Sequence, residues 1–176
     1  MDQVLIAIDD ADTPLGYLPR SECHRGDGRL HRAIAVLLSN RHGQVLLQKR
    51  RAQLWDGFWD LTGATHPLHS PAGDESYAEA AARCLAREWG LHVPLAPVLA
   101  FTYRARFGDA SEHERCVLFT AQYDGALALN PDYAYAMQWL DLEECRQRMA
   151  ADPAAYTPWA RIAIARLRAL PATDAS

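Results

Sequence analysis

Histidines and closely spaced glutamates carry the first recognisable chemistry in this chain. His24 and His31 lie in the segment CHRGDGRLH, with six residues between them. His66 stands just before Pro67, and Glu112 and Glu114 flank a single residue. On an extended strand alternate side chains project to one face, so these two glutamates are coplanar acceptors. Three imidazoles and two carboxylates suit Mn, Fe, Co or Zn better than Mg alone. Each residue also has a plainer reading, since a histidine considered alone is more often a core or surface residue than a ligand.

A second group falls on a helix expected over 75–89. Glu75, Glu79 and Arg83 recur there every four residues, and Arg87 and Glu88 sit near its end. On a solvated face they would form ordinary Glu–Arg pairs. Acids in tandem on one helix can instead hold a divalent cation, with substrate phosphates completing its shell.

The elements that must position these residues follow from pattern and turn chemistry. Val4 to Ile8 reads as a strand, ended by an Asp/Pro turn at 9–14. Leu30 to Leu38 reads as a buried strand, with a turn at Asn40–Gly43 and a hairpin partner at Val45–Leu47. Trp55 to Thr62 reads as a loop entering a short strand, and Pro67 to Gly73 as a loop. Asp74 or Ser76 can cap the helix, which runs to Trp89 and stops at Gly90. Strands follow near 96–107 and 115–123, with a turn from Gly108 to His113, and again at Tyr135–Leu140. Asp141-Leu-Glu-Glu144 resembles a capping box, and Pro158 opens a last helix expected through Leu170. Antiparallel hairpins interspersed with a few helices predict an α+β fold, a mixed sheet flanked by helices in one domain over 1–176.

Composition narrows the function. The chain has 176 residues, enough for a sizeable core, with 49% hydrophobic and 23% charged residues. Eighteen Lys and Arg against 22 Asp and Glu give a net charge of −4. That balance disfavours nucleic-acid binding by bulk electrostatics. No apolar run is long enough to span a bilayer, and the N-terminus does not read as a signal peptide. Cys23, Cys84, Cys116 and Cys145 show no CxxC spacing, which suits reduced thiols in a cytoplasmic protein.

From roughly Val4 to Leu167 these pieces resemble type I isopentenyl-diphosphate isomerase, a branch of the Nudix superfamily. The resemblance rests on LHRAIAVLLSNRHGQVLLQKR, GFWDLTGATHP, ARCLAREWGL, FTYRARFG, SEHERCVLF, QWLDLEE and TPWARIAI. Asp74–Leu91 itself is similar to a degraded Nudix box, with His69, Cys84 and Arg87 where the full signature has glycine and two glutamates. That loss argues against an ordinary Nudix diphosphate hydrolase. The resemblance implies that His24, His31, His66, Glu112 and Glu114 hold a divalent ion such as Mn²⁺ or Zn²⁺. It implies that Glu88 serves a Mg²⁺ neutralising the diphosphate. Glu114 and Tyr103 would transfer the proton, Trp159 would face a carbocation, and Arg20 and Arg51 would contact the diphosphate. The implied partner is a small-molecule prenyl diphosphate. Protonating an unactivated alkene needs an acid in a dry pocket, and aromatic faces steady the tertiary cation formed.

The chain departs from the family in its head-group pocket, with three fewer residues between Leu47 and Gly57 and Cys84 in place of a second basic residue, and in its chemistry. The family's signature cysteine, two residues before the His-Pro pair, is Ala64 here. Isomerisation needs a proton handler on each face of the allylic unit, and alanine supplies none. Three accounts follow: an engineered alanine that traps substrate, water acting as the second base, or a paralogue whose cation has another fate. In the last case a second alkene of a longer prenyl chain attacks the cation, giving a cyclase that retains the diphosphate. A Nudix-type hydrolase and a binding module without catalysis complete the alternatives.

Overall fold

The computed structural model describes residues 2–169. Its organising element is β3 (His31–Ser39), an almost unbroken apolar run that is buried along nearly its whole length. Such a strand must be covered on both faces and belongs in the middle of a sheet. It has neighbours on both sides. A long parallel ladder joins it to β10 (Ala110–Gln122), from Glu114 opposite His31 to Gln122 opposite Ser39. It also pairs antiparallel with β1 (Val4–Ile8), β4 (Gln44–Arg50) and the short β6 (Gly63–Thr65). The path β11 (Ala134–Asp141), β4, β3, β1, β2 (Pro14–Pro19) forms the body of the sheet. The strand β5 (Trp59–Asp60) pairs with β4, and β9 (Ala96–Phe107) forms a long hairpin with β10.

The period-two alternation of β3 divides the core into two layers. Ile34, Val36 and Leu38 pack against Ala80, Ala81, Cys84 and Leu85 of α2 (Tyr77–Trp89). Ala33, Ala35 and Leu37 face Cys145 and Met149 of α3 (Leu142–Ala151) and Trp159, Ala163 and Ile164 of α4 (Pro158–Arg166). Four helices occur among the described residues, the fourth being the single turn α1 (Arg20–Cys23). The expected α+β fold, a mixed sheet flanked by helices, is the observed one.

Several local expectations change. Pro14–Pro19 is strand rather than the end of a turn, because it zips onto β1 as an edge where proline costs no ladder bond. The turn after β9 shrinks to Gly108 and Asp109, so β10 begins at Ala110 and already carries both glutamates. The expected loop after Pro67 contains a small hairpin, β7 (His69–Ser70) with β8 (Gly73–Asp74). Glu75 lies before α2 instead of on it, since Ser76 is the N-cap and Glu79 closes a capping box. Glu79 is therefore committed to the cap, and Arg83 pairs with Glu75 at 2.7 Å. Gly90, at φ 66°, ends the helix as expected. Asp141 caps α3 in backbone geometry only, with no side-chain bond. The last helix stops at Arg166, and Leu170 lies outside the described residues.

Candidate active site and metal centre

Strand register builds the centre. Glu112 and Glu114 point the same way from β10, and the parallel ladder sets Glu114 directly beside His31 at the start of β3. The β9–β10 hairpin sets Tyr103 opposite Glu114. His66 follows β6, whose pairing with β3 delivers it to the same place. His24 arrives from the C-terminal end of α1, and its carbonyl accepts a hydrogen bond from the Ser111 amide of β10 at 2.9 Å. One ligand atom from each of His24, His31, His66, Glu112 and Glu114 lies within 4.8 Å of the others, and all five residues are buried.

The geometry around Glu114 is dense. Its Oε1 is 2.8 Å from His66 Nε2, 3.5 Å from His31 Nε2 and 3.9 Å from His24 Nε2. Its Oε2 accepts a 2.6 Å hydrogen bond from the Tyr103 hydroxyl. His24 Nδ1 lies 2.7 Å from the Arg20 carbonyl, and His31 Nδ1 lies 2.6 Å from the Arg29 carbonyl. Those carbonyls can only accept, so each Nδ1 carries the proton and each Nε2 presents a lone pair inward. His24 Nε2, His31 Nε2 and Glu112 Oε2 are buried without a hydrogen-bond partner. Orphaned acceptors converging on one point fit a divalent cation, and the nitrogen-rich donor set fits a transition ion better than Mg²⁺.

Without such an ion the charges redistribute. Burial opposes charge on the His24 imidazole, but Glu112 and Glu114 outweigh it and push the pKa up to about 10. At His66 burial dominates and pushes it down to about 4. Burial works against the Glu114 carboxylate, yet the three imidazoles gathered around it hold it well below the usual range. Burial, reinforced by the Glu114 charge, raises Glu112 and keeps the Tyr103 hydroxyl protonated.

Two connected cavities adjoin the centre. An outer cleft of about 400 Å³ is lined by Arg20, Arg50, Arg51, Arg87, Glu88 and His66, among others. An inner cavity of about 30 Å³ is lined by Ala64, Glu114, Cys116, Trp159 and Arg50, among others. Ala64 borders both, so a longer side chain there would project into this space. Glu88 opens on the outer cleft but is not one of the five clustered ligands. It accepts hydrogen bonds from Arg87 at 2.7 Å and Gln48 at 3.1 Å. Arg20 donates to Gln53, and Arg51 donates to the Pro131 carbonyl with its guanidinium over Tyr135. Trp159 is buried against Trp55 and Tyr103, and one ring face is covered by the Arg50 guanidinium.

Sequence reasoning misses Gln48, Arg50 and Asp60, and reads Arg87 only as part of a solvated helix face. A polar residue ending an apolar strand has no periodic signal, and Asp60 looks like an ordinary loop acid until Arg50 is seen beside it at 2.6 Å.

Comparison with known proteins places these features in context. The NUDIX domain family matches residues 29–160. An isopentenyl-diphosphate delta-isomerase of Burkholderia multivorans is 34% identical over 171 residues, 94% of this chain and 93% of the relative. A protein of the same name from Nocardia farcinica is 38% identical, covering 86% and 87%. Among solved structures, DR0079 from Deinococcus radiodurans superposes with a TM-score of 0.74 at 19% identity, over 94% of this chain and 99% of that one. A MutT protein from Methanosarcina mazei gives a TM-score of 0.59 at 20% identity, over 78% and 91%. At these identities the two structural likenesses concern the fold alone.

Proposed function

Because the chain belongs to the Nudix family and, within it, to the isopentenyl-diphosphate isomerases, we propose that it isomerises a five-carbon prenyl diphosphate by protonating its alkene at Glu114. The observation that carries this reading is Glu114 itself, whose carboxylate joins three imidazoles to a phenol at the wall of a small inner cavity. His24, His31, His66, Glu112 and Glu114 would hold a divalent transition ion, and Glu88 would serve a Mg²⁺ carried by the diphosphate. Bound there, the transition ion would neutralise the buried acids and keep the carboxyl and its imidazoles in one fixed geometry.

The residues themselves divide the work. Glu114, ionised at rest, takes up a solvent-exchangeable proton in relay with the Tyr103 hydroxyl and passes it to the terminal alkene carbon, leaving a tertiary cation. Tyr103 fixes the carboxyl by its 2.6 Å hydrogen bond. Trp159 lines the cavity, backed by Trp55, and its aromatic ring favours the cation. A proton must then leave the allylic carbon on the opposite face, where Ala64 offers no base. Water in the cavity is the acceptor on this reading, which makes turnover slow. The four arginines of the outer cleft hold the diphosphate.

Ala64 also favours a second reading, protonation-initiated cyclisation of a longer chain with the diphosphate retained. A cytoplasmic location belongs to the same proposal, and no helix among the described residues is long and apolar enough to cross a membrane.

Product analysis after incubation with five- and ten-carbon prenyl diphosphates tests this. The expected product is dimethylallyl diphosphate from isopentenyl diphosphate. A cyclic diphosphate would establish the second reading, and released phosphate or pyrophosphate without rearrangement would overturn both in favour of hydrolysis.

A further inference from the structure

The sequence singles out neither Arg50 nor Asp60, yet Arg50 lines both the outer cleft and the inner cavity. It therefore stands where the two meet. Its placement is enforced from two sides. Nη1 donates to Asp60 Oδ2 at 2.6 Å, and the guanidinium lies 5.0 Å over the Trp159 ring. Asp60 is fully buried, and its other oxygen is committed to the Thr157 hydroxyl at 2.9 Å and the Leu61 amide at 2.8 Å. Thr157 is the residue that starts α4, and its own amide donates to the Trp59 carbonyl. The clamp thus ties β4, β5 and α4 together at one point.

A guanidinium has five donors, and the carboxylate engages one of them. Arg50 Nε is buried with no hydrogen-bond partner. The neighbouring arginines of the cleft differ. Arg20 is turned to Gln53, Arg51 to Pro131 and Tyr135, and Arg87 to Glu88. A fixed guanidinium with unspent donors, where a head-group cleft meets the small cavity beside Glu114, suits an oxygen that borders both. In an alkyl diphosphate that oxygen is on the phosphoryl group joined to carbon.

We propose that Arg50, clamped by Asp60 and Trp159, grips the carbon-linked phosphoryl group of the substrate and so sets how far the hydrocarbon reaches toward Glu114. Arg50 is then a binding residue and Asp60 a positioning residue. The inference rests on the reading that the ligand is a prenyl diphosphate. It explains why a buried carboxylate sits beside the cleft at all: without Asp60 the long Arg50 side chain would be free to swing outward, at an entropic cost to every binding event.

The test uses isopentyl diphosphate, a saturated analogue that cannot be protonated, in magnesium-containing buffer. Its binding to the full chain is measured by calorimetry and by tryptophan emission. Arg50→Lys keeps the charge but loses the planar fork, and is expected to weaken the analogue by about tenfold or more. Inorganic pyrophosphate, free to sit outward in the cleft, should lose less. Asp60→Asn should weaken the analogue in the same direction. The emission change on binding should vanish in Trp159→Phe and shrink in Arg50→Lys, which a purely structural role would not produce. Binding of the analogue by Arg50→Lys within twofold of the parent, or equal losses for the analogue and pyrophosphate, overturns the proposal. If Asp60→Asn does not fold, Arg50→Lys decides alone. A parent that binds no analogue overturns this proposal and the prenyl diphosphate reading together. A parent that binds it through Arg50 but turns over no substrate leaves this proposal standing and removes only the isomerase reading.

Discussion

Glu114 and Ala64 face the same small cavity with opposite chemical endowments, one with an acid set among three imidazoles and a phenol, the other with a methyl group. Removing the acid while keeping its shape, as Glu114→Gln, should lower turnover by about 10³-fold, within the usual range for a lost acid–base group. Circular dichroism should show the fold retained. Ala64→Cys should do the reverse. It places a thiol in open space on the other side of the cavity, and isomerisation of isopentenyl diphosphate should rise by about 10²-fold over the parent in steady-state assays. The histidines make a separate prediction for chelator-treated protein. His66, at about 4 in the fold against 6.5 when unfolded, takes up its proton more readily in the unfolded chain, so stability falls as pH drops below 6.5. His24, at about 10 against 6.5, binds its proton more tightly in the fold, so stability falls as pH rises from 6.5 toward 10. Thermal unfolding of the metal-free chain should therefore be most resistant near pH 6.5. Saturating with a divalent transition ion should raise the melting temperature most at higher pH, where displacing the His24 proton costs least.

At the scale of elements, the site depends on how closely α2 approaches β6. A side chain at Gly63 would place its Cβ 2.9 Å from Cys84 Sγ and 3.2 Å from Glu88 Oε2. Gly63→Ala should therefore cost about 1–3 kcal/mol by overpacking, read as a lowered melting temperature, and should displace Glu88 from Gln48. How far each element is legible in the sequence follows from whether its cause is local. The helix after Ser76 is legible because its cap, its apolar spacing and its terminal glycine are all nearby signals. The edge strand β2 is not, because Pro14 and Pro19 read as breakers and only pairing with β1 makes the segment extended. The short strand β6 is likewise invisible, since three residues, Gly63 to Thr65, gain their conformation from β3. The expected capping box at Asp141 fails for the converse reason: the motif is present, but its side chain makes no cap bond.

Across the whole molecule, five candidate ligands separated by up to ninety positions in the sequence converge because one parallel ladder and one hairpin fix their registers. Residue types and spacing alone suggest that convergence, and the family resemblance makes it specific. The clamp around Arg50 is different in kind. Asp60, Thr157 and Trp159 meet it only through the tertiary packing of α4 on the sheet, so no pattern along the chain announces it. The arrangement as a whole is a sheet that gathers acids and imidazoles near the start of β3 and β10, with arginines at a cleft and a small cavity beside both. On the function proposed for it, Glu114 delivers a solvent-exchangeable proton to the alkene of isopentenyl diphosphate. The direct measurement is incubation of that substrate with the enzyme in deuterated water, followed by NMR of the carbon skeleton. The account predicts deuterium in the new methyl group of dimethylallyl diphosphate, and none with Glu114→Gln. Recovery of the substrate without deuterium, or equal incorporation by parent and Glu114→Gln, would contradict it.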